Sequence, residues 1–135
     1  MRYFVDTSAF VAMTDKTDVH HEDAHRFLAE LHPADSLHTS NYIVDEASTR
    51  IRFNLGHHAA VRFGDTLYST HLQMIHQVTV DMDREAFRVF KKYTDKEFSF
   101  TDCVSFALMH ELGIADAFTF DKDFTLAGFR SHPHR

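Results

Sequence analysis

The sequence predicts an α/β protein whose helices pack on a mainly parallel sheet. Short aromatic and β-branched runs alternate with helical patterns along the whole chain, the order produced by strand–helix–strand crossovers. Capping and turn residues bound each run, so the elements are separate. The chain has 135 residues, 44% of them apolar, with only four Gly and two Pro. That suits a single domain over residues 1–135, with a sizeable core and no long linkers.

Residues 2–6 read as a short strand, bounded by Asp6, Thr7 and Ser8, which can cap a short helix over 9–13. Ala24, Phe27, Leu28 and Leu31 recur at three and four, so 20–32 is expected to be helical, stopped by Pro33. A brief strand is expected over 37–39. Ser40 or Asn41 can then cap a helix over 42–54, with Ile43, Ala47 and Ile51 on one face and Gly56 beyond its end. A further amphipathic helix is expected over 57–72, marked by Val61, Leu67, Tyr68 and Leu72. Residues 77–80 alternate like a strand, and Asp81 or Asp83 can open a helix over 83–93. Residues 99–112 form a strongly apolar helix closed by Gly113; 117–120 reads as a strand and 122–127 as a helical turn.

Composition narrows the function. Fourteen basic and 20 acidic residues leave a formal charge of −6, which argues against indiscriminate coating of nucleic acid and leaves room for a local basic groove. A lone cysteine, Cys103, excludes an intrachain disulfide framework. Asp6 cuts the first apolar run too short for a signal sequence, and no run approaches the ~18 apolar residues of a membrane span. The expectation is a cytoplasmic protein without membrane association.

Carboxylates recur at element ends. Asp6 and Asp121 each close an expected strand, Asp102 opens the apolar helix, and Glu46 lies in the first turns of the helix over 42–54. In parallel α/β sheets, ligands gather beyond the carboxyl ends of the strands. Four acids meeting there would raise one another's pKa unless a cation arrived, and oxygen-only ligands suit Mg²⁺ or Mn²⁺. Each acid also has a plainer reading. Asp6 and Asp121 are common turn residues. Glu46 can pair with Arg50 one helical turn on, and Asp102 can form a capping box with Ser99.

Four segments, in order and over nearly the whole chain, resemble the motifs of the PIN-domain ribonucleases, and within them the VapC-type toxins. YFVDTSAF resembles the first motif, TSNYIVDEASTRI the second, SFTDCVSFALMHELGI the third and ADAFTFDKDF the fourth. The resemblance implies Asp6, Glu46, Asp102 and Asp121 as catalytic metal ligands for one or two Mg²⁺ or Mn²⁺ ions. It further implies a three-layer α/β/α sandwich, an endoribonuclease leaving 3′-hydroxyl and 5′-phosphate ends, a homodimer, and an antitoxin protein that blocks the cleft. Asp45 departs from the apolar character usual before the second acid. By the same analogy Asp123 supports the site or merely solvates its turn.

Thr7, Ser8, Thr101 and Ser105 are placed to hydrogen-bond ligating carboxylates or metal-bound water, or else to cap and back-bond their own helices. Arg50, Arg52, Lys91, Lys92 and Lys96 are the candidate RNA phosphate contacts, with a solvated charged face as the alternative. Phe98 and Phe100 can stack on unpaired bases, although most Phe fits core positions. His21 and His25 have a spacing that can bind a transition metal, but no Glu stands as in H-E-x-x-H, so a zinc-protease reading fails. A solvated helix face is the alternative for these; His57, His58, His132 and His134 are read as surface residues, and no histidine is assigned catalysis. Three other functions compete with the toxin: a stand-alone RNA-processing nuclease of the same fold, a catalytically silent binding module, and a haloacid-dehalogenase-type phosphatase. The phosphatase needs a second Asp two residues after Asp6, where Ser8 stands.

Overall fold

The computed structural model describes residues 1–70 and 73–134. Five parallel strands form one sheet: β1 (Arg2–Val5), β2 (Ser36–Ser40), β3 (Gln73–His76), β4 (Asp116–Phe118) and β5 (Arg130–His132), in the order β3-β2-β1-β4-β5. The crossovers are α1 (Thr7–Thr14) and α2 (His21–Ala29), α3 (Asn41–Leu55) and α4 (His57–Ser69), α5 (Val80–Lys92) and α6 (Phe100–Leu112), and the single turn α7 (Asp123–Leu126). The chain builds outward from β1 to β3, then returns to the other side of β1 with β4. The order of winding therefore reverses between β1 and β4, where such sheets hold ligands.

Alternation along the strands makes three layers. Phe4 turns one way, stacking on Phe124 at 6.5 Å, and Phe124 meets Phe106 of α6 edge-on at 5.1 Å. Tyr3 turns the other way, onto Phe27 of α2 at 5.2 Å, and Phe118 packs on the same ring at 4.4 Å. Phe4, Val5, Phe118 and Phe124 are fully buried. At ~1.5–3 kcal/mol each, such side chains hold the ends of β1 and β4 rigid.

The expected boundaries shift where local chemistry decides. The first strand stops at Val5, because Asp6 caps α1 with its side chain; its N–H still reaches the Phe118 carbonyl at 3.1 Å. The second helix ends at Ala29, short of Pro33, which disfavours helix in the residue before it. Ser40 is the cap of α3, accepting the Ile43 N–H at 3.2 Å. The apolar mark at Leu72 lies outside the described residues.

The strand expected over 77–80 is a correction. The Val78 N–H is taken by Asn41 Oδ1 at 2.8 Å, and the Thr79 hydroxyl caps α5 by accepting the Met82 N–H at 3.2 Å. The strand lies four residues earlier, over Gln73–His76. β4 begins one residue earlier and ends two residues sooner than expected: the Thr119 N–H still reaches the His132 carbonyl at 3.0 Å, while the Phe120 N–H turns to Ser8 Oγ. β5 was not expected at all. Its Arg130 and His132 are held by the buried carboxylate of Asp116, at 2.8 and 2.9 Å, and the His132 ring also packs edge-on against Tyr3 at 5.1 Å.

Candidate active site

The site is organised around a buried carboxylate. Asp6 is 4% exposed, at the end of β1. Its Oδ2 accepts the Ser8 hydroxyl at 2.8 Å, the Thr119 hydroxyl at 3.0 Å and the Ser8 N–H at 3.4 Å. Burial pushes its pKa up, while the donors of Ser8, Thr119 and Thr7 pull it back. Each hydroxyl has a single hydrogen, and both hydrogens point at Asp6. Their lone pairs then hold the loop after β4: Ser8 Oγ accepts the Phe120 N–H at 2.9 Å, and Thr119 Oγ1 accepts the Asp121 N–H at 3.0 Å.

Above this knot lie three carboxylates. Oxygens of Asp102, Asp121 and Asp123 stand within 4.8 Å of one another, each residue half-buried. Asp102 comes from the first turn of α6, where it forms a capping box: its Oδ2 accepts the Ser99 N–H at 3.1 Å, and its N–H donates to Ser99 Oγ at 3.0 Å. Capping thus coexists with clustering. Burial raises the Asp102 pKa to about 7, assisted by the charges of Asp6 and Asp121 and opposed by the Ser99 N–H. Asp121 Oδ1 accepts the Asp123 N–H at 2.9 Å, which winds Asp123 back over it. The Asp123 pKa is raised by burial and by Asp121, with Lys122 opposing.

Asp6 is outside that 4.8 Å group, although Asp102 feels its charge. Glu46 is half-buried on α3, also outside the group, and among the described residues it forms no ion pair with Arg50. Asp45 is exposed. Thr7 Oγ1 is buried and has no hydrogen-bond partner among the described residues. Ser105 takes the second of its two expected roles: its hydroxyl donates to the Thr101 carbonyl at 3.0 Å, back-bonding within α6. Thr101 is half-buried beside Asp102.

Arg50 lines a cleft with Ser8, Asp121 and Lys122, so it reaches the edge of the carboxylate group. The other basic candidates sit with local partners. Arg52 donates to His57 Nδ1 at 2.7 Å, Lys91 lies 5.0 Å from the Phe87 ring, Lys92 5.5 Å from the Tyr93 ring, and Lys96 pairs with Asp95 at 3.0 Å. Phe98 is buried against Tyr93 and Phe106, and Phe100 packs by Tyr42 and Phe90, so both serve packing. A larger cavity of about 540 Å³ beside Phe10, Leu28 and Phe63 has no carboxylate in its wall and is no match for this chemistry.

Sequence reasoning missed Thr119, and it placed Asp123 beside the site rather than in the carboxylate group. The signals were present. A hydroxyl residue interrupts the aromatic run at 118–120, and Asp123 follows Asp121 at the spacing of a turn. The resulting donor set is all carboxylate oxygen, with no His or Cys, which fits a hard divalent cation such as Mg²⁺ or Mn²⁺ better than zinc.

Comparison with known proteins bears on the family and the fold. Residues 3–130 match the PIN domain family. The chain is 37% identical over 126 residues to the 23S rRNA-specific endonuclease VapC20 of Mycobacterium tuberculosis, covering 93% of this chain and 94% of the relative. The crystal structure of Mycobacterium tuberculosis VapC20, described as a Sarcin-Ricin loop cleaving toxin, superposes with a TM-score of 0.88 at 35% identity, covering 94% of this chain and 95% of that one. VapBC2 from Rickettsia felis, solved with promoter DNA, has a TM-score of 0.75 at 12% identity, covering 98% of each chain. FitAcB from Neisseria gonorrhoeae has a TM-score of 0.72 at 16% identity, covering 98% of this chain and 97% of that one. These two bear on the fold alone.

Proposed function

The chain belongs to the PIN-domain family, and from that membership we propose that it is a VapC-type toxin: a divalent-metal-dependent endoribonuclease, cytoplasmic, homodimeric and held in check by an antitoxin. The observation that carries the proposal is the gathering of Asp102, Asp121 and Asp123 over buried Asp6, at the junction of β1 and β4. Side-by-side carboxylates resist joint ionisation, and a hard divalent cation removes the conflict. Asp102, Asp121 and Asp123 would hold it, Asp6 would add charge from below, and Glu46 would act from the α3 side. When bound, such a cation supplies an activated water near neutral pH and neutralises charge building on the scissile phosphate.

The chain's own residues support hydrolysis by water over a covalent route. Ser8 has given its hydroxyl hydrogen to Asp6. Cys103 is buried, with its thiol pushed up to about 11 by burial, so it is no nucleophile. The phosphatase alternative needs an acid two residues after Asp6; Ser8 occupies that position, and Asp6 itself is closed in by hydrogen bonds. Among the described residues no helix is long and apolar enough to cross a membrane.

Identity to the rRNA endonuclease over nearly the full length makes a structured rRNA stem-loop the first substrate to test. Purified protein with Mg²⁺ or Mn²⁺ should cut such RNA to 3′-hydroxyl and 5′-phosphate ends. Chelator should stop it, and Asp121→Asn should lose nearly all cleavage. Equal cutting by both proteins would end the proposal.

A further inference from the structure

We infer that Arg50 and Lys122 form a phosphate clamp at the rim of the carboxylate group, binding the RNA phosphate next to the one that is cut. The inference rests on the nuclease reading above and names the chain's own contacts to its substrate. The two side chains come from distant parts of the sequence, α3 and the turn that opens α7. They meet in a cleft of about 440 Å³ whose wall also holds Asp121.

Both cations are exposed, and among the described residues neither side chain makes a hydrogen bond or an ion pair. Acids are at hand. Glu46 stands one helical turn before Arg50, and Asp18 and Asp121 share the cleft wall. Those two acids turn to backbone instead: Asp18 accepts the His20 N–H at 2.8 Å, and Asp121 accepts the Asp123 N–H at 2.9 Å. Exposed ion pairs gain little, so two cations left open beside carboxylates remain free to meet an incoming anion.

A phosphodiester needs cations at this place. The chain carries a formal charge of −6 and gathers carboxylates at its site, so RNA is repelled as it approaches. The carboxylate group, once it holds a divalent cation, serves the scissile phosphate; the phosphates flanking it still face acids. Arg50 and Lys122 lie beside Asp121, at the edge of the group rather than within it, which suits a flanking phosphate. The charge of Lys122 already reaches Asp123 and favours its ionised form. The pair is complementary: the guanidinium fork sets direction with two parallel bonds, and the ammonium adds a point charge.

The clamp has fixed mounts. Arg50 stands on α3, whose first turn is capped by Ser40. Lys122 follows Asp121, whose N–H is held by Thr119 Oγ1 at 3.0 Å, and the Lys122 carbonyl accepts the Leu126 N–H at 3.0 Å. A phosphate held between the two cations stands at a constant offset from Asp121, and that offset selects which bond of the strand reaches the acids. Asp18 and Asp121 balance the two positive charges in the wall, so the cleft is no general trap for polyanions.

The test uses the full chain and stem-loop RNA, with Arg50→Gln, Lys122→Gln and the double variant. Arg84→Gln, exposed on α5 and outside the cleft wall, removes the same charge elsewhere. With Mn²⁺, each single variant should raise KM about fivefold with kcat within about twofold. Arg50→Lys keeps the charge and should recover part of the loss. Binding of fluorescein-labelled RNA in chelator, read by anisotropy, should weaken by the same factors. The double variant should lower the slope of log affinity against log salt by about 0.7, the share of one single-strand phosphate. Unchanged KM and unchanged binding in the double variant would overturn the clamp, leaving the cations to an acidic protein partner and the nuclease standing. An equal loss in Arg84→Gln would overturn it too. If the wild type cuts no RNA, the nuclease reading falls, and the anisotropy arm still rules on the clamp: absent binding, or equal binding by wild type and double variant, refutes it.

Discussion

Replacing Thr119 by Val should damage stability and catalysis together, although Thr119 touches no solvent-facing chemistry. The side chain is 3% exposed, and Val preserves its shape. Two hydrogen bonds vanish. Thr119 no longer donates to Asp6 Oδ2 at 3.0 Å, and the Asp121 N–H loses its acceptor, also at 3.0 Å. A bond to an acidic group contributes ~1.5–3 kcal/mol, and an unsatisfied buried donor costs ~1–3 kcal/mol. Water can reach half-buried Asp121, and the new methyl gains ~0.8 kcal/mol, so the net loss is ~3 kcal/mol. For 135 residues the unfolding entropy is ~0.28 kcal/mol per degree, so the melting temperature should fall by ~10 °C. Thr119→Ser keeps the hydroxyl and loses one methyl, so it should stay within ~3 °C and keep its activity. Differential scanning fluorimetry and RNA cleavage at a temperature where both variants are folded provide the readouts. Equal melting of the Val and Ser variants, or normal cleavage by Thr119→Val, would show that the hydroxyl knot does not organise the site.

Asp102, raised to about 7 from the ordinary carboxylate range, makes stability pH-dependent. The fold prefers the protonated acid, so its contribution is complete below about pH 4 and disappears as pH rises through about 7. Without divalent cation the melting temperature should therefore fall across that window, and Mn²⁺ should stabilise more at pH 8 than at pH 5; a flat cation effect would contradict this. Asp123→Asn should weaken Mn²⁺ binding as strongly as Asp121→Asn in calorimetry, and Glu46→Gln less, because Glu46 lies outside the carboxylate group. The reverse ranking would restore the motif-based ligand set. Ser99→Ala removes the cap of α6 and should cost about 1 kcal/mol, read as a drop of ~3–4 °C.

What the sequence disclosed follows from where information is local. β1 and β4 were legible because both faces are buried, so Phe4, Val5 and Phe118 stand out as apolar runs. β3 was misplaced by four residues: it is an edge strand with a partly exposed pattern, while residues 77–80 alternate without pairing. β5 had no apolar signature because its own residues, Arg130 and His132, are polar and bond to Asp116. Motif order pointed to Asp6, Asp102 and Asp121, and the fold brings Asp102 and Asp121 together with the charge of Asp6 near them. Ser105 was left open between two roles because it shares a helical face with Asp102, and the Thr101 carbonyl is the acceptor its hydroxyl takes. Thr119 was missed because the break it makes in the aromatic run gains meaning only from its partners, Asp6 and Ser8, more than a hundred residues away.

That distance bears on how the site is specified. No local segment builds it: Asp6 and Ser8 precede α1, while Thr119 to Asp121 follow β4, and only the reversal of winding between β1 and β4 makes them neighbours. The buried carboxylate would be a liability in a fold that needed only stability, since burial disfavours its charge and two hydroxyls must be turned inward to offset that. Its return is positional. The hydroxyls that solvate Asp6 also hold the backbone of Phe120 and Asp121, so one set of bonds fixes an acid below, an acid above and a ring beside them. The burial of Asp6 therefore sets where the charge of Asp121 is held, and Thr119→Val should disturb both acids at once.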